Sequence, residues 1–581
     1  MPFTADMPVS EHIALLERLG AGGPLQARSQ VLCLPPAGAQ GTSAAEATVS
    51  GRMTVGEHVF HLRVRLPKDF PRCLPEVTLE SVEPPLDLPH LMGDRNVVCF
   101  TSDANLLDRR DPEAILHESL LLVRDHFARM LGGDRSREFL SEAVVYWYGL
   151  ARKNPLTCAV TASDRPRVVT ALYAAGALHA VADDIATYAQ SLPTRSTEGL
   201  SPRNAVYLPL DPGAHNASFQ VRELTTSEGL RKYVRALPDD ERQSLARCVN
   251  RCGPGAHLVV LGLKRPEEKR ALVAVLLSDI QGGHPLKEGT GTAKVQPVYL
   301  LRRDRAFLAP RGGAGTDLKE RRVLIAGCGS VGGYLALSLA RAGVGRLSLV
   351  DPDFFTLENT YRHVVGMARR GQVKVLGLKE EIEHAIPYVS VEPFHTRIED
   401  LLRQAEPEVR QHDLLILALG YPTIELDVND WLWSNPDHPP ALFTWLEPLG
   451  LGGHALLTHA RSDTGPTRGC LQCLYKRPYE GGPIENRAAF AQPGTLYTRD
   501  TLGCGSRFLP FADLDAQRTA ELAARLSLRS LRRDVHASPL RSWKGDRHAF
   551  EREGHAVTPR YDRVESGELD YVRPDCPVCA G

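Results

Sequence analysis

Four of the twelve cysteines form two CxxC pairs, Cys470/Cys473 and Cys576/Cys579. A CxxC turn lets two thiolates reach one ion, and two such turns complete a tetrahedral, all-thiolate Zn2+ site with no open position. Such a site is structural, and here it would tie the C-terminal tail onto the body of its domain. Cys33, Cys73, Cys99, Cys158, Cys248, Cys252, Cys328 and Cys504 stand outside these pairs. Twelve cysteines in 581 residues are too sparse for a disulfide scaffold.

The second group of chemistry-bearing residues is Gly327-Cys328-Gly329-Ser330-Val331-Gly332, a GxGxxG between a strand pattern and a helix pattern, with Asp351 ending the next strand. Glycines allow a tight turn and close approach of phosphate, and the N–H groups at the helix start bind the anion. An acid at this distance suits a ribose hydroxyl. Alone, the motif reads as a nicotinamide dinucleotide site. Downstream, Asp353, Asn359, Arg362 and Lys374 shift that reading. Two cations after the ribose acid suit a triphosphate, because adenylation develops charge on the α-phosphate and on the leaving pyrophosphate.

The run VLIAGCGSVGGYLALSLARAGVGRLSLVDPDFFTLENTYR, followed by GQVK, resembles the adenylating domain of the ubiquitin-activating family and its bacterial ThiF/MoeB relatives. The resemblance implies that Gly327, Gly329 and Gly332 cradle phosphate, that Asp351 holds ribose, and that Asn359, Arg362 and Lys374 contact the triphosphate of ATP. It also implies a Mg2+-linked Asp after Leu414–Leu419, but the stretch reads Ala418-Leu419-Gly420-Tyr421-Pro422. That leaves Asp353, Glu425, Asp427, or phosphate and water alone, to hold the ion. The four-cysteine arrangement also occurs in ThiF/MoeB-like proteins.

Cys504 lies in Thr501-Leu502-Gly503-Cys504-Gly505-Ser506, ahead of a helix expected to be capped by Asp513 or Asp515. A thiolate attacks an acyl-adenylate, and a loop thiol near cations or a helix start is readily activated. By itself Cys504 reads as an ordinary loop cysteine; by the resemblance it matches the thioester cysteine of activating enzymes. Cys99, in Asn96-Val97-Val98-Cys99-Phe100, reads alone as a buried strand residue. The pieces LPKDFPRCLPEVTL and PHLMGDRNVVCF, followed by a long helix, resemble the ubiquitin-conjugating fold, in which Cys99 matches the active cysteine and His90 the histidine before it. The family's oxyanion-stabilising Asn has no clear counterpart; Asn96 and His90 are the candidates to replace it. Cys73 and Cys328 have no matching role and read as packing.

These residues need elements to hold them. Ile13, Leu16 and Leu19 mark a short amphipathic helix, and Phe60–Leu66 alternates as a half-buried strand after a turn at Val55-Gly56-Glu57. A helix runs from Asp111-Pro112 to about Leu131, where Gly132-Gly133 stops it. The middle reads as helices near Glu142–Ala151 and Arg167–Gln190, strands near His257–Leu263 and Gln296–Leu301, and a flexible joint at Gly312-Gly313-Ala314-Gly315. Strands at Val323–Ala326, Leu347–Val350 and Leu414–Leu419, with a helix at Tyr334–Ala342, imply a parallel sheet with covering helices.

Composition sets the outer bounds. The chain is 43% hydrophobic and 24% charged, with 69 Lys and Arg against 70 Asp and Glu. A net charge of −1 argues against nucleic-acid binding by counterion release. No apolar run approaches a membrane span, and the first twenty residues lack a signal-peptide layout, so a cytoplasmic protein is expected.

The fold expected is multidomain α/β: a ubiquitin-conjugating-like α+β domain over 1–136, a mixed α/β linker or dimerisation domain over 137–316, and a Rossmann-like ThiF/MoeB adenylation domain with the zinc site over 317–581. The combination resembles the fused conjugating–activating enzymes of bacterial anti-phage cyclic-oligonucleotide (CBASS) operons. The resemblance implies a homodimer that adenylates the C-terminus of a cGAS-like nucleotidyltransferase, passes it through Cys504 and then Cys99, and joins it to a lysine or other amine. Three other readings stay open: a sulfur-carrier activator with an idle Cys99, a nicotinamide oxidoreductase, and an N-terminal fold that only docks a partner.

Overall fold

Period-two alternation builds the first sheet. Helix α1 (Val9–Leu19) precedes β1 (Glu46–Val55) and β2 (His58–Arg65), and β2 buries Phe60, Leu62 and Val64 while exposing Arg63. Gly56 turns between them at φ +59°, a left-handed conformation suited to glycine in a tight hairpin. β3 (Glu76–Glu83), β4 (Leu91–Met92) and β5 (Val97–Val98) continue the antiparallel sheet. Helix α2 (Pro112–Gly132) begins where expected: the Asp111 side chain accepts from Ala114 N, and Pro112 fills the first position. It packs Ile115, Leu116, Leu120, Val123 and Phe127 into the core, with Phe127 stacked on Phe60 at 4.1 Å. Helices α3 (Arg135–Ser141) and α4 (Ala143–Ala151) follow. The computed structural model describes all residues except 1–8, 20–24, 28–31, 35–45, 94, 102–106, 134, 152–154, 216–218, 267–269, 288, 290, 436, 460–468, 501–506, 536–537, 565–570 and 580–581.

The middle region is a closed barrel of seven strands: β6 (Pro155–Ala159), β7 (Arg167–Ala174), β8 (Ala177–Ala182), β9 (Leu200–Leu210), β10 (His257–Lys264), β11 (Arg270–Gln281) and β12 (Thr292–Arg302). Their order around it is β8-β6-β12-β11-β10-β9-β7. Here the helix expected over Arg167–Gln190 gives way to the hairpin β7–β8, with a helix only at Ile185–Gln190. The turn sits at Ala175 (φ +47°) and Gly176 (φ +82°), inside what reads as one apolar run. Strands this buried lose the polar alternation that distinguishes them from helix.

The chain divides into two compact units, Met1–Ile185 with Gly199–Arg302, and Ala186–Glu198 with Arg303–Gly581. The expected joint at 312–315 is not a linker. Gly312 ends the helix Arg305–Arg311, and Gly315 N donates to Ala342 O at 2.9 Å, fastening the segment to the second unit.

The second unit is built on a seven-stranded sheet of β13 (Arg322–Ala326), β14 (Arg346–Val350), β15 (Ser390–Phe394), β16 (Leu414–Leu417), β17 (Ala441–Leu446), β18 (Gly452–Thr458) and, after the short hairpin β19 (Tyr475–Lys476) and β20 (Glu485–Asn486), β21 (Leu540–Lys544). The order is β15-β14-β13-β16-β17-β18-β21, with the first five strands parallel and the last two antiparallel. Its helices include α5 (Ser330–Arg341), α6 (Lys374–Ala385), α7 (Pro422–Ser434), α8 (Asp513–Leu531) and α9 (Pro559–Arg563). In α8 the cap is neither Asp513 nor Asp515 acting as N-cap. Ala512 takes that place, with Asp515 Oδ2 accepting from its N–H at 2.8 Å, while Asp513 accepts from the Tyr334 hydroxyl at 2.8 Å. Parallel strands put β13, β14 and β16 C-termini at one edge, where α/β sheets gather their ligands. No helix among the described residues is long and apolar enough to cross a membrane.

Candidate functional site

The glycine loop joins β13 to α5, and its three glycines do different work. Gly327 has φ +87°, and a Cβ there would sit 2.5 Å from Ala418 O. A Cβ on Gly332 would sit 1.8 Å from Gly327 O, so this position holds helix against loop. Gly329 has nothing within 4 Å of its Cβ position, and it caps α5 with no side-chain hydrogen bond. The first two are packing requirements. The third leaves open approach to the N-terminus of a twelve-residue helix, which fits a phosphate.

The loop is clamped through Cys328. Asp351, 6% exposed, accepts from Cys328 N with Oδ2 and from Asp353 N with Oδ1, both at 2.8 Å. On the other side His363 Nε2–H donates to Cys328 O at 2.7 Å, while its Nδ1 accepts from Val365 N at 3.0 Å. Burial lowers the His363 pKa, which keeps this pair of hydrogen bonds on a neutral ring. His363 is absent from the sequence reading; its only signal is adjacency to Arg362. Cys328 is fully buried, and burial pushes its thiol well up, as packing requires.

Lys374 opens α6 and places Nζ 2.8 Å from Asp353 Oδ2. Asn359 Oδ1 accepts from Thr356 N at 3.0 Å, closing the turn Leu357–Arg362. That turn delivers Arg362, a half-buried guanidinium whose pKa burial lowers. Arg362 makes no ion pair among the described residues. It donates to Leu509 O at 3.4 Å and lies 4.8 Å from the Phe511 ring centroid. Cys504 falls outside the described residues, but the chain that follows it is thus held at Arg362.

At the end of β16, Gly420 has φ +69°, and Glu425 from the first turn of α7 is 2% exposed. Its Oε1 accepts from Leu419 N and Gly420 N, each at 3.2 Å, yet burial pushes the carboxyl up to about 7. Asp427 is exposed.

The two CxxC turns meet. The sulfurs of Cys470, Cys473, Cys576 and Cys579 all lie within 4.8 Å of one another, with Cys470–Cys576 at 3.7 Å and Cys473–Cys579 at 3.3 Å. Bonds of about 2.3 Å from one Zn2+ put tetrahedral sulfurs about 3.8 Å apart, so the donor set fits the ion. Asn429 of α7 accepts from Leu471 N at 2.9 Å, which fixes the first turn to that helix, and Tyr571 donates to Ser538 O at 2.9 Å, just before β21.

In the first unit, Cys99 follows β5 and its N–H donates to His90 O at 2.9 Å. His90 stands at φ +62°, with its N–H on the Tyr146 hydroxyl at 2.7 Å. The imidazole Nε2 lies 3.1 Å from Glu138 Oε2, and Nδ1 lies 3.7 Å from Glu142 Oε1. Cys99, His90, Glu138 and Glu142 line one cavity of about 520 Å3 with His126 and Arg129. His126, edge-on to His90 at 5.3 Å, is buried, and burial pushes it down to about 4. Asn96 is exposed and lines a different cavity, so His90, not Asn96, is brought to Cys99. Glu138 and Glu142 were invisible in the sequence because they come from α3 and the turn after it, far along the chain.

Two family models match successive segments of the chain. Residues 33–154 match the prokaryotic E2 family B and residues 302–496 match the ThiF family. The chain is similar to the ATP-dependent ubiquitin transferase-like protein Cap2 of Pseudomonas aeruginosa, 27% identical over 292 residues, covering 49% of this chain and 48% of that one. The Cap2 of Escherichia coli is 23% identical over 380 residues, covering 63% and 57%. The adenylyltransferase and sulfurtransferase MOCS3 of Sus scrofa is 34% identical over 329 residues, covering 54% and 62%. The chain spans about half the length of the Cap2 relatives it matches.

Proposed function

We propose that this chain is an ATP-dependent protein-conjugating enzyme. The observation that carries the reading is the presence on one chain of a glycine loop followed by Arg362, which makes no ion pair among the described residues, and of a cysteine, Cys99, sharing a cavity with a His–Glu pair. The E2 and ThiF matches over those two segments support it.

A carboxylate at the C-terminus of a protein substrate attacks the α-phosphorus of ATP. A new C–O–P linkage forms, pyrophosphate leaves, and Arg362 and Lys374 offset the charge that develops. Gly327, Gly329 and Gly332 shape the phosphate cradle, Asp351 faces ribose, and Asp353 or a nearby acid would hold Mg2+, which would offset phosphate charge. The thiolate of Cys504 displaces AMP, and Cys99 takes the acyl group by thioester exchange. A substrate amine then attacks the thioester: the C–N bond forms, the C–S bond breaks, the amine proton passes to His90–Glu138, and Cys99 leaves as thiolate. Cys470, Cys473, Cys576 and Cys579 would hold Zn2+, which would tie down the tail and supply no chemistry to the transfer.

By resemblance, the acyl donor is a cGAS-like nucleotidyltransferase, the acceptor a lysine, the assembly a homodimer and the setting anti-phage CBASS defence. The likeness to MOCS3 favours a second reading, activation of a sulfur-carrier protein by the adenylation segment alone.

The test is a covalent trap. Cys99→Lys is expressed in its native host, and mass spectrometry searches for a peptide in amide linkage to position 99. An adduct ending in a protein C-terminus and lost in a Cys504→Ala background supports the relay and names the donor. A folded, ATP-supplied Cys99→Lys chain without adduct favours the sulfur-carrier reading.

A further inference from the structure

Beyond the Cys470–Cys473 turn, hairpin β19–β20 and helix α9 border a cavity of about 690 Å3. Among the described residues, four cations line it, Lys476, Arg487, Arg560 and Arg563, against one carboxylate, that of Glu485. None of the four makes an ion pair among the described residues. Arg560 is 6% exposed, and its Nε has no hydrogen-bond partner among the described residues. Its other nitrogens make only long contacts, 3.3 Å to Arg487 O and 3.4 Å to Ser542 Oγ. Glu447, the acid whose charge it feels, has its oxygens occupied by His454 Nε2 at 2.9 Å and Ala491 N at 3.1 Å. Burial pulls Arg560 down to about 10, opposed by Glu447 and reinforced by Arg487.

A buried guanidinium without a direct counter-ion is costly, and an anion entering the cavity relieves that cost. Arginine's fork pairs with carboxylates through two parallel hydrogen bonds. Arg560 and Arg563 are neighbours on one helical face, so two acidic groups can be held side by side. The volume exceeds what a lone phosphate fills, leaving room for a peptide segment.

We propose that this cavity binds an acidic peptide segment of the protein whose C-terminus is activated, its carboxylates paired with Arg560, Arg563, Lys476 and Arg487. The proposal rests on the reading of a protein carboxylate as acyl donor, but it requires neither ATP nor Cys99.

The probe is N-acetyl-tetraglutamate amide titrated into the full chain, with inorganic pyrophosphate in parallel. The amide end cannot be adenylated, so failure of this peptide to bind counts against the cavity alone, whereas failure of the Cys99→Lys trap counts against the relay. The expected result is saturable peptide binding, insensitive to saturating ATP, whose Kd rises at least about tenfold in K476Q/R563Q. Both substituted side chains are exposed, so the fold should be kept, and circular dichroism checks it. The proposal is overturned by absence of peptide binding, by a Kd unchanged in the double variant, or by loss of pyrophosphate binding alone in that variant.

Discussion

His90 and Cys99 are joined through the backbone, Cys99 N–H to His90 O at 2.9 Å, while the His90 ring reaches Glu138 at 3.1 Å. His90 therefore fixes the cysteine's main chain and lines the same cavity as Cys99. In the proposed relay this places the emphasis on removing a proton from the attacking amine rather than on an oxyanion-stabilising Asn.

Glu138→Gln should therefore spare formation of the Cys99 thioester and slow its transfer to an amine. General bases contribute about 100-fold or more, so a loss of that order is expected near neutral pH. The deficit should shrink as pH rises and more free amine is present. Quenched-flow gels with and without reductant separate the two steps. Equal loss of charging and discharge would make Glu138 merely structural.

Gly329→Ala and Gly332→Ala should part company. The Gly332 Cβ position lies 1.8 Å from a carbonyl oxygen, so the alanine must distort the loop and should lower stability by roughly 1–3 kcal/mol. Alanine at 329 meets nothing within 4 Å and should leave the melting temperature of the second unit nearly unchanged. If phosphate approaches over Gly329, ATP–pyrophosphate exchange should still fall at least about tenfold, since a methyl group would occupy its path. Calorimetry and an exchange assay on the same preparations decide it.

The four-cysteine cluster should carry one Zn2+ per chain, measured by elemental analysis of protein purified without added metal. Cys576→Ser should release that ion and free the Tyr571–Cys579 segment, because the remaining three sulfurs leave an incomplete tetrahedron. Loss of several kcal/mol from the second unit is expected, with protease cleavage moving to the C-terminal tail. Zinc content unchanged in the serine variant would remove the cluster from consideration.

How much of this was readable beforehand follows from chain distance. Gly327 lies inside and Asp351 just after the strand–helix–strand unit β13–α5–β14, and Arg362 and Lys374 follow it closely, in the next turn and at the start of α6, so spacing along the sequence maps onto the candidate site. The cysteine pairs were readable because each CxxC is a local turn, although their meeting at 3.3–3.7 Å is a tertiary fact. Glu138 and His363 were not: one comes from a separate helix, and the other is a buried histidine whose role depends on a carbonyl across the loop. The barrel was missed for another reason. Arg167–Ala174 and Ala177–Ala182 are mostly apolar, broken only by Thr170 and His179 after the first residue, and the Ala175-Gly176 turn carries a weak signal. Arg560 gave no signal, because its neighbours Arg487 and Ser542 are brought in by other elements.

Glu425 supplies a pH-dependent prediction. Its folded-state carboxyl is raised to about 7 from an ordinary 4.5, so between those values the folded chain binds more protons than the unfolded one. Its contribution to stability is therefore fully present below about 4.5, declines as pH rises, and is lost above about 7. Glu425→Gln keeps an oxygen to accept from Leu419 N and Gly420 N but carries no charge to bury. The variant should match the wild type at pH 5 and exceed it at pH 8, by about 1–3 kcal/mol. Denaturant unfolding of the second unit at the two pH values measures the difference. The same variant addresses Mg2+: if Glu425 were a ligand, ATP–pyrophosphate exchange would need more Mg2+ in Glu425→Gln. Since its Oε1 is committed to two backbone N–H groups, the expected Mg2+ dependence is unchanged, leaving the exposed Asp353 as the acid to substitute next.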